Sequence, residues 1–333
     1  PLLRVSKKKP EDTANDLGQY LSENLKQVTG FNVIKGFLNL SLANSFWIDT
    51  LGLGLLNNEY GKGVPTNQKI TVEYCGPNTN KPLHLGHIRN MLLGFSVSNI
   101  LEFAGNEVIK VNMYNDRGIA ICKSMLAWQK FGEGETPASS GIKGDHLVGK
   151  YYVVFDKKYK EQVDQLKAEG VAEDEAKKKA PIQQEVQAML LKWEAGDPDT
   201  VALWKQMNDW VYEGFNATFA KMGVSFDRDY YESETYLLGR DLVLEGLEKG
   251  IFFKKEDGSI WVDLTDKGLD QKVLLRSDGT SVYLTQDLGT ADLRYGHYHM
   301  DRNVYVVADE QNYHFKVLQL TLEKLGKSYA AGI

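Results

Sequence analysis

The residues best suited to chemistry lie in one segment, residues 75–87, with the sequence CGPNTNKPLHLGH. Two histidines, His84 and His87, flank Gly86, and Lys81 stands three residues before the first of them. A helix that begins here would present unpaired backbone N–H groups and the positive end of its dipole, which attract anions. The imidazoles and the ammonium group add donors where charge builds up on a phosphate under attack. Gly86 has no side chain, so a flat ring such as adenine could approach the backbone.

The flanking sequence places this segment between a strand and a helix. Residues 69–74 (KITVEY) alternate apolar and polar side chains, a pattern typical of a β-strand. Residues 76–78 (GPN) predict a turn. Apolar residues then recur with helical spacing over residues 86–100, and Gly105 is a plausible helix end. Strand, loop and helix in this order form the first unit of a nucleotide-binding parallel sheet.

The histidine pair has ordinary alternatives. Two histidines at positions i and i+3 are more often surface or core residues than catalytic ones, so the motif alone is weak. Its strand–turn–helix context, with Asn78 and Lys81 beside it, favours a phosphate site. A zinc site is not indicated, because a third ligand at suitable spacing is missing and Cys75 and Cys122 form no Cys-x-x-Cys pair. We therefore expect no protein-bound metal.

Composition narrows the class of protein. The 333 residues, with 42% hydrophobic and 25% charged, suit a globular protein of two or three domains. Two cysteines cannot form a disulfide framework, which favours a reducing cytoplasm. No apolar run approaches membrane-spanning length, so we expect no membrane partner. The net charge of −6 argues against nucleic-acid binding through bulk positive charge but leaves room for a local basic face. Without an initiating methionine, the chain is expected to be a fragment.

The pattern of elements predicts an α/β fold with a small α+β unit before it. Residues 1–60 contain a predicted helix, two short strands and a second helix, at 11–25, 32–34, 37–40 and 45–56. The nucleotide-binding body begins near residue 66 and carries a mostly helical insertion at about 119–225.

Later elements of this body complete the prediction. They are a second strand at 108–113, a helix within 232–250, a strand at 260–264, a hairpin of 273–276 with 281–284, a buried strand at 304–308 and a closing helix that ends at Gly326. The loop at 115–118 (NDRG) is either an edge of the site or a simple turn.

Polar side chains follow three predicted strand ends. They are Glu73 with Asn78, Tyr283 with Asp287, and Gln311 with His314. Strand ends of an open parallel sheet converge on one crevice. Two carboxylates, a phenol and two amides suit a long cation with many donors, and a guanidinium matches a carboxylate in bidentate fashion. Each residue alone also has a structural explanation, since the phenol could be half core, the aspartate a first-turn acid and the glutamine a surface residue.

These motifs carry a family resemblance. Residues 72–87 (VEYCGPNTNKPLHLGH) resemble the start of the catalytic domain of class I arginyl-tRNA synthetases, including its HIGH signature. Residues 283–287 (YLTQD) resemble the family's Tyr-x-x-x-Asp segment, and residues 309–315 (DEQNYHF) resemble its Gln-x-x-His stretch. Residues 115–118 resemble a family loop. Residues 1–60 resemble the tail of the N-terminal appended domain that contacts tRNA.

The resemblance implies a Rossmann-like catalytic domain at 66–333 and an enzymatic function. It implies ATP-dependent activation of L-arginine to arginyl-adenylate, with Mg²⁺ accompanying ATP, and transfer to the terminal adenosine of tRNA(Arg). By motif position, the arginine ligands would be Glu73, Asn78, Tyr283, Asp287 and Gln311, and the ATP ligands would be Lys81, His84, Gly86 and His87. Lys81, His84 and His87 would also be the catalytic groups.

The chain departs from the family pattern in two places. Cys75-Gly76 stands where the family usually carries serines, which replaces one hydroxyl by a thiol and removes one side-chain donor. No KMSKS-type loop occurs by Ile333, and neither does the helical domain that grips the anticodon arm. Lys81 occupies the position of a lysine found in members whose loop is degenerate. We expect a fragment that keeps arginine and ATP pockets yet charges tRNA weakly or not at all.

Two alternatives stay open. Another class I synthetase or a nucleotidylyltransferase would also use a His-x-Gly-His helix start, although Glu73 and Asp287 together would disfavour a neutral or acidic substrate. A non-catalytic tRNA-binding paralogue is the second alternative. Intact Lys81, His84 and His87 argue against it, because a binding-only descendant has no need of phosphate donors.

Overall fold

The computed structural model describes residues 2–57 and 59–333, and the chain divides into two compact units, residues 1–63 and 64–333. The first unit consists of α1 (Leu3–Ser6), α2 (Pro10–Asn24), β1 (Val28–Ile34), β2 (Phe37–Leu42) and α3 (Asn44–Leu56). The two strands pair in antiparallel fashion. Gly18 of α2 lies against the ring of Phe31, at a distance that leaves no room for a side chain. The helices and strands predicted within residues 1–60 are therefore present.

The second unit is built on a four-stranded parallel sheet with the order β5-β4-β3-β9. Its strands are β3 (Lys69–Glu73), β4 (Glu107–Tyr114), β5 (Arg228–Tyr231) and β9 (Arg302–Tyr305). Glu73, the last residue of the inner strand β3, is in register with Val111 on one side and Tyr305 on the other. The predicted α/β class is confirmed, and the carboxyl ends of the strands lie at one edge.

Helices cover the sheet and share its core. The helix α4 (Leu85–Phe103) joins β3 to β4. Between β4 and β5 lie α5 (Ile119–Phe131), α6 (Pro137–Ser140), α7 (Gly144–Ala168), α8 (Glu173–Lys179), α9 (Pro181–Glu194) and α10 (Pro198–Met222). Side chains of this helical segment, such as Met125 and Phe215, pack in one cluster with Val72 and Tyr74 of the sheet region. In the described ranges, no helix is long and apolar enough to cross a membrane.

A second layer follows β5 in the chain. It contains α11 (Glu232–Thr235), α12 (Gly239–Glu248), β6 (Phe253–Lys254), β7 (Ile260–Val262), β8 (Lys272–Leu275), α13 (Tyr283–Tyr298) and α14 (Asn312–Lys324), with 3₁₀ turns at Thr265–Lys267, Asp309–Gln311 and Ala330–Gly332. The strands β6, β7 and β8 form a small antiparallel sheet. Its core joins Val262 and Leu274 to Leu288 of α13 and Leu318 of α14.

The predicted hairpin at 273–284 is wrong in its second half. Its turn exists, but Ser281 forms only an isolated bridge with Leu275, and α13 begins at Tyr283. The Thr285 hydroxyl lies inside the first turn of this helix, where it donates to the Leu274 carbonyl and accepts from the Val282 amide (3.4 Å). Leu284, Leu288 and Ala291 are all buried along α13, a spacing that a helix satisfies and a strand does not.

Two further predicted elements differ from the observed ones: one strand ends early and one helix is divided in two. The strand predicted at 304–308 leaves the ladder after Tyr305, because β3 ends at Glu73 and offers no further partner. The single helix predicted within 232–250 is broken between α11 and α12. A Cβ atom at Gly239, the first residue of α12, would lie 1.6 Å from the carbonyl oxygen of Thr285, so α12 packs directly against the backbone of α13 at this glycine.

Asp116, in the loop after β4, ties the helical segment to the sheet. Its carboxylate accepts hydrogen bonds from the Ser233 amide (2.8 Å), the Ser233 hydroxyl (2.7 Å) and the Tyr212 hydroxyl (3.1 Å). Its carbonyl accepts from Trp204 Nε1 (2.6 Å) and Asn208 Nδ2 (3.2 Å). Burial raises the pKa of Asp116, and the bonds from Ser233 oppose that rise. Asp116 therefore has a structural role in the loop that the sequence left undecided.

Replacing Asp116 should destabilise the fold. Asp116→Ala removes the acceptors of three donors in a buried place, so we expect a loss of about 3 kcal/mol in the free energy of unfolding. Urea denaturation followed by circular dichroism measures it. Asp174→Ala, at an exposed carboxylate, is the control and should leave the transition unchanged. Equal stability of both variants would contradict the structural role of Asp116.

Candidate active site

A cleft of about 720 Å³ lies at the carboxyl edge of the parallel sheet, within the size range of small-molecule sites. Five of the predicted site residues line it: Glu73, His87, Tyr283, Asp287 and Gln311. Asn90, Asn115, Met113, His314 and Phe315 are among its other walls. A neighbouring cleft of about 330 Å³ shares Asn90 with it and is lined by Gly86 and Arg89.

The start of α4 is closed by its two histidines. His84 is the N-cap, and its Nδ1 accepts from the Gly86 amide (3.1 Å), while Nδ1 of His87 accepts from the His84 amide (3.2 Å). Two of the amides that the sequence predicted to be free are thus engaged. Burial, followed by the nearby His84 and Lys81, lowers the pKa of His87 to about 4. His87 is therefore neutral at pH 7, with its proton on Nε2 available for donation.

Gly86 leaves room for the His84 ring. A Cβ atom there would lie 2.8 Å from Cε1 of His84, because the ring folds back over the helix start, and the ring would have to shift. The two imidazole rings stand 3.9 Å apart between centroids. Gly86 therefore has a packing reason in addition to the close approach predicted for a flat ligand.

A strained turn brings the backbone to the cleft. Cys75 has φ +78° and Gly76 has φ +54°, a conformation that costs a non-glycine residue about 1–2 kcal/mol. Asn90 holds the turn, accepting from the Cys75 amide (2.6 Å) and donating to the Val306 carbonyl (2.5 Å). Gly76 tolerates this conformation without strain, a reason for glycine where the family usually has serine. Burial raises the pKa of the Cys75 thiol to about 12, so it is not a nucleophile.

Asn90 and Arg294 are the residues that sequence reasoning missed. Asn90 follows His87 by three residues on α4 and so faces the same side, a spacing that could have indicated it. Arg294 continues the buried stripe of α13 three residues after Ala291. A charged residue at a core position of an amphipathic helix is a signal that something pairs with it.

Glu73 is paired with a buried guanidinium. Its Oε2 contacts Nη2 of Arg294, whose side chain is fully buried while that of Glu73 is 19% exposed. The guanidinium carbon lies 5.0 Å from the ring centre of Tyr230 on β5 and 5.6 Å from that of Tyr305 on β9. The pair joins the end of β3 to α13 beneath the cleft.

Asp287 is paired with the imidazole of His314. Nε2 of His314 lies 2.5 Å from Oδ2 of Asp287. This hydrogen bond raises the pKa of His314 and outweighs the effect of burial. Tyr283, 79% exposed, and Gln311, also exposed, stand at the open rim of the cleft.

The remaining predicted site residues lie outside the larger cleft. Asn78 is exposed and forms an isolated bridge with Asn115 through its backbone. His84 touches the cleft only through His87, and Lys81 acts on that imidazole through its charge. The site thus combines an acidic wall, a neutral imidazole donor and a nearby cation.

Comparisons with known proteins place the chain in a family. The family described as tRNA synthetases class I (R), catalytic domain, matches residues 53–331. The arginine–tRNA ligase of Bacteroides thetaiotaomicron is 58% identical and that of Parabacteroides distasonis 56%, each over 100% of this chain and 56% of the relative. The chain therefore belongs to the class I tRNA synthetase (R) catalytic-domain family, and it spans about 56% of the length of these curated relatives.

Solved structures agree on the fold. The Thermus thermophilus arginyl-tRNA synthetase superposes with a TM-score of 0.67 at 22% identity, over 99% of this chain and 57% of the other. The Plasmodium falciparum arginyl-tRNA synthetase superposes with a TM-score of 0.61 at 18% identity, over 93% of this chain and 52% of the other. The predicted class I synthetase fold is confirmed.

Removing the Glu73 carboxylate that pairs with Arg294 should lower the free energy of unfolding. Glu73→Gln leaves a buried guanidinium without a counter-charge, and we expect a loss of about 3–5 kcal/mol in the free energy of unfolding. The double variant Glu73→Gln/Arg294→Met should recover a large part of that loss, because neither charge remains. Urea denaturation of the two single variants and the double variant measures the coupling.

Glu173→Gln provides the control for this cycle, since Glu173 belongs to an exposed ion pair with Lys177, and such pairs contribute little. It should behave as the unmodified chain does. Additive losses in the double variant, or a Glu73→Gln variant as stable as the control, would contradict the buried pair.

Proposed function

We propose that this chain is the catalytic region of an arginine–tRNA ligase and activates L-arginine with ATP to form arginyl-adenylate. One observation carries the proposal: two carboxylates, Glu73 and Asp287, line the same cleft as His87 of the His-x-Gly-His turn. A carboxylate pair beside a phosphate-binding turn suits a substrate with a guanidinium at one end and a reactive carboxylate at the other.

The arginine side of the cleft would be formed by its acids and its rim. Asp287 and Glu73 would receive the guanidinium, and the phenol of Tyr283 could close over the aliphatic stem. Gln311 and the amide of Asn78 would orient the amino-acid backbone. The proximity of Asn78 to Asn115, which lines the cleft, supports this role.

The ATP side would lie at the start of α4. Neutral His87 can donate its Nε2 proton to a phosphate oxygen, and His84 and Lys81 can add donors as charge develops. Gly86 lines the adjoining smaller cleft, where adenine would lie. Within residues 2–57 and 59–333, no group of three or more His, Cys, Asp or Glu side chains could hold a metal ion. Mg²⁺ would enter as the counter-ion of ATP.

The chemistry follows from this placement. The carboxylate of arginine attacks the α-phosphate in line, the bond to the β-phosphate breaks and pyrophosphate leaves. No covalent intermediate with the enzyme is needed, so the protein contributes orientation and charge stabilisation. Transfer of the arginyl group to the terminal adenosine of tRNA(Arg), in the cytoplasm, belongs to the proposed function of the longer protein. This chain alone is expected to charge tRNA weakly.

Single mutations should affect arginine binding and ATP binding separately. Asp287→Asn should weaken arginine binding at least tenfold and leave ATP binding unchanged, because only the guanidinium depends on that charge. His87→Ala should weaken ATP binding and leave arginine binding nearly intact. Isothermal titration calorimetry with each ligand measures both.

Citrulline, a neutral analogue of arginine with nearly the same shape, is the matched control ligand and should bind far more weakly than arginine. Glutamate should not bind. Equal binding of citrulline and arginine, or an Asp287→Asn variant with unchanged arginine affinity, would contradict the proposal. ATP–pyrophosphate exchange with tRNA present, tested across the amino acids, extends the test to catalysis.

A further inference from the structure

Both acids of the cleft already have a basic partner in the same chain. Glu73 contacts Arg294, and Asp287 contacts His314. The two basic groups differ in one property. A guanidinium keeps its charge at any physiological pH, whereas an imidazolium can lose a proton to solvent. An incoming guanidinium can therefore change the charge state of one pair and not of the other.

We propose that His314 is a positioning residue that holds Asp287 ready for the substrate and releases a proton when the guanidinium of arginine binds. The inference rests on the proposed function and adds a proton to its binding step. Asp287 would exchange a charged partner within the protein for a charged partner on the substrate.

The geometry supports this exchange. Nε2 of His314 donates to Oδ2 of Asp287, and both residues line the cleft. The other oxygen, Oδ1, is left for the guanidinium. No hydrogen bond is recorded for Nδ1 of His314 within the described part of the chain, so this is the nitrogen from which the proton can leave. The neutral ring keeps Nε2–H on Oδ2 and continues to orient the carboxylate.

The step balances in atoms and charge. Free enzyme with imidazolium and carboxylate, plus arginine, gives a complex with neutral imidazole, carboxylate and guanidinium, plus one proton in solvent. Without the release, two cations would share one carboxylate. The imidazolium yields the proton because its acidity is far higher than that of a guanidinium.

Other titratable groups around the pair must be distinguished from His314. Those that line the cleft or are coupled to the pair are Glu73, Tyr74, Cys75, His87, Tyr283, Arg294, Tyr305 and Glu232. Burial raises the pKa of Glu232 to about 7, with Arg117 opposing and Asp287 contributing. Glu232 therefore carries a proton part of the time near pH 7 and is the competing source of a proton. His87, with its pKa lowered to about 4, stays neutral there.

The direction in which arginine affinity changes with pH follows from the raised pKa of His314. Below that pKa the free enzyme holds the imidazolium, and arginine must expel its proton, so arginine binding is weakened. As the pH rises towards that raised pKa, the dissociation constant for arginine should fall, by at most tenfold per pH unit for one proton. Above the raised pKa the dependence should level off.

Calorimetry measures the released proton directly. Arginine is titrated into this chain at about pH 7 in PIPES, MOPS and Tris, and the observed enthalpy is plotted against the ionisation enthalpy of the buffer. The slope should show a net release of protons, up to one for each arginine bound. His314→Gln, which can still donate to Asp287 but cannot titrate, should bind arginine with a slope near zero and no pH dependence.

Two variants serve as controls. Glu232→Gln removes the competing acid and should retain the release. His299→Asn removes an exposed histidine at the far end of α13, bonded to the Tyr295 carbonyl, and should also retain it. Asparagine tolerates the positive φ of that position. Release that persists in His314→Gln and disappears in Glu232→Gln would overturn the inference.

A measurement on the unmodified chain covers the case in which His314→Gln does not fold. Titration of the imidazole signals by NMR, with and without arginine, should show the pKa of His314 falling on binding. Arginine binding without proton release and without that fall would overturn the inference and leave the proposed function intact. Failure of arginine to bind at all would overturn both.

Discussion

The ion pair between Glu73 and the buried Arg294 fixes the site. It joins the last residue of the inner strand β3 to the helix α13, which belongs to the second layer of the unit. Arg294 and Asp287 are seven residues apart on α13, nearly two full helical turns, so they lie on the same face about 10 Å apart. Pairing Arg294 with Glu73 at the end of β3 therefore also fixes the position of Asp287 on α13. One buried contact thus positions both acids of the cleft.

The same pair shapes the charge of the cleft. Arg294 permanently neutralises much of the Glu73 charge and leaves one carboxylate oxygen for a ligand. Asp287 is paired with an imidazole, whose charge depends on whether it is protonated. Selection of a guanidinium would then depend on the directions in which the two carboxylates point, because their summed negative charge is largely compensated inside the protein. A guanidinium is a rigid, planar donor group, so it matches two fixed carboxylate directions better than an ammonium group does.

Local sequence patterns predicted the parts of the fold that local physics determines. The alternation in residues 69–74 and the histidine turn after it gave a strand, a turn and a helix start within one or two residues of those observed. The predictions that were wrong concern segments whose structure is determined by tertiary packing. The segment at 281–284 has strand-like residues, yet burying Leu284, Leu288 and Ala291 together requires a helix. The strand at 304–308 is cut short by the length of its neighbour β3, which its own sequence does not reveal.

In the site, too, the local sequence motifs were predictable and the contacts between distant segments were not. The motif residues Glu73, His87, Tyr283, Asp287 and Gln311 were predicted and line one cleft, even though Tyr283 and Asp287 lie on a helix and not at a strand end. Asn90 and Arg294 were not predicted, since their partners are far away in the sequence. The engagement of the helix-start amides by His84 and His87 was also missed. Side-chain pairing across distant segments is information that a single sequence carries only faintly.

A crystal structure of this chain with L-arginine bound tests the central claim most directly. The account predicts the guanidinium between Asp287 and the free oxygen of Glu73, within hydrogen-bond distance of both, with Arg294 unmoved. It also predicts the carboxylate of arginine directed towards His87. Arginine bound elsewhere, or held in this cleft with its guanidinium away from both acids, would contradict it.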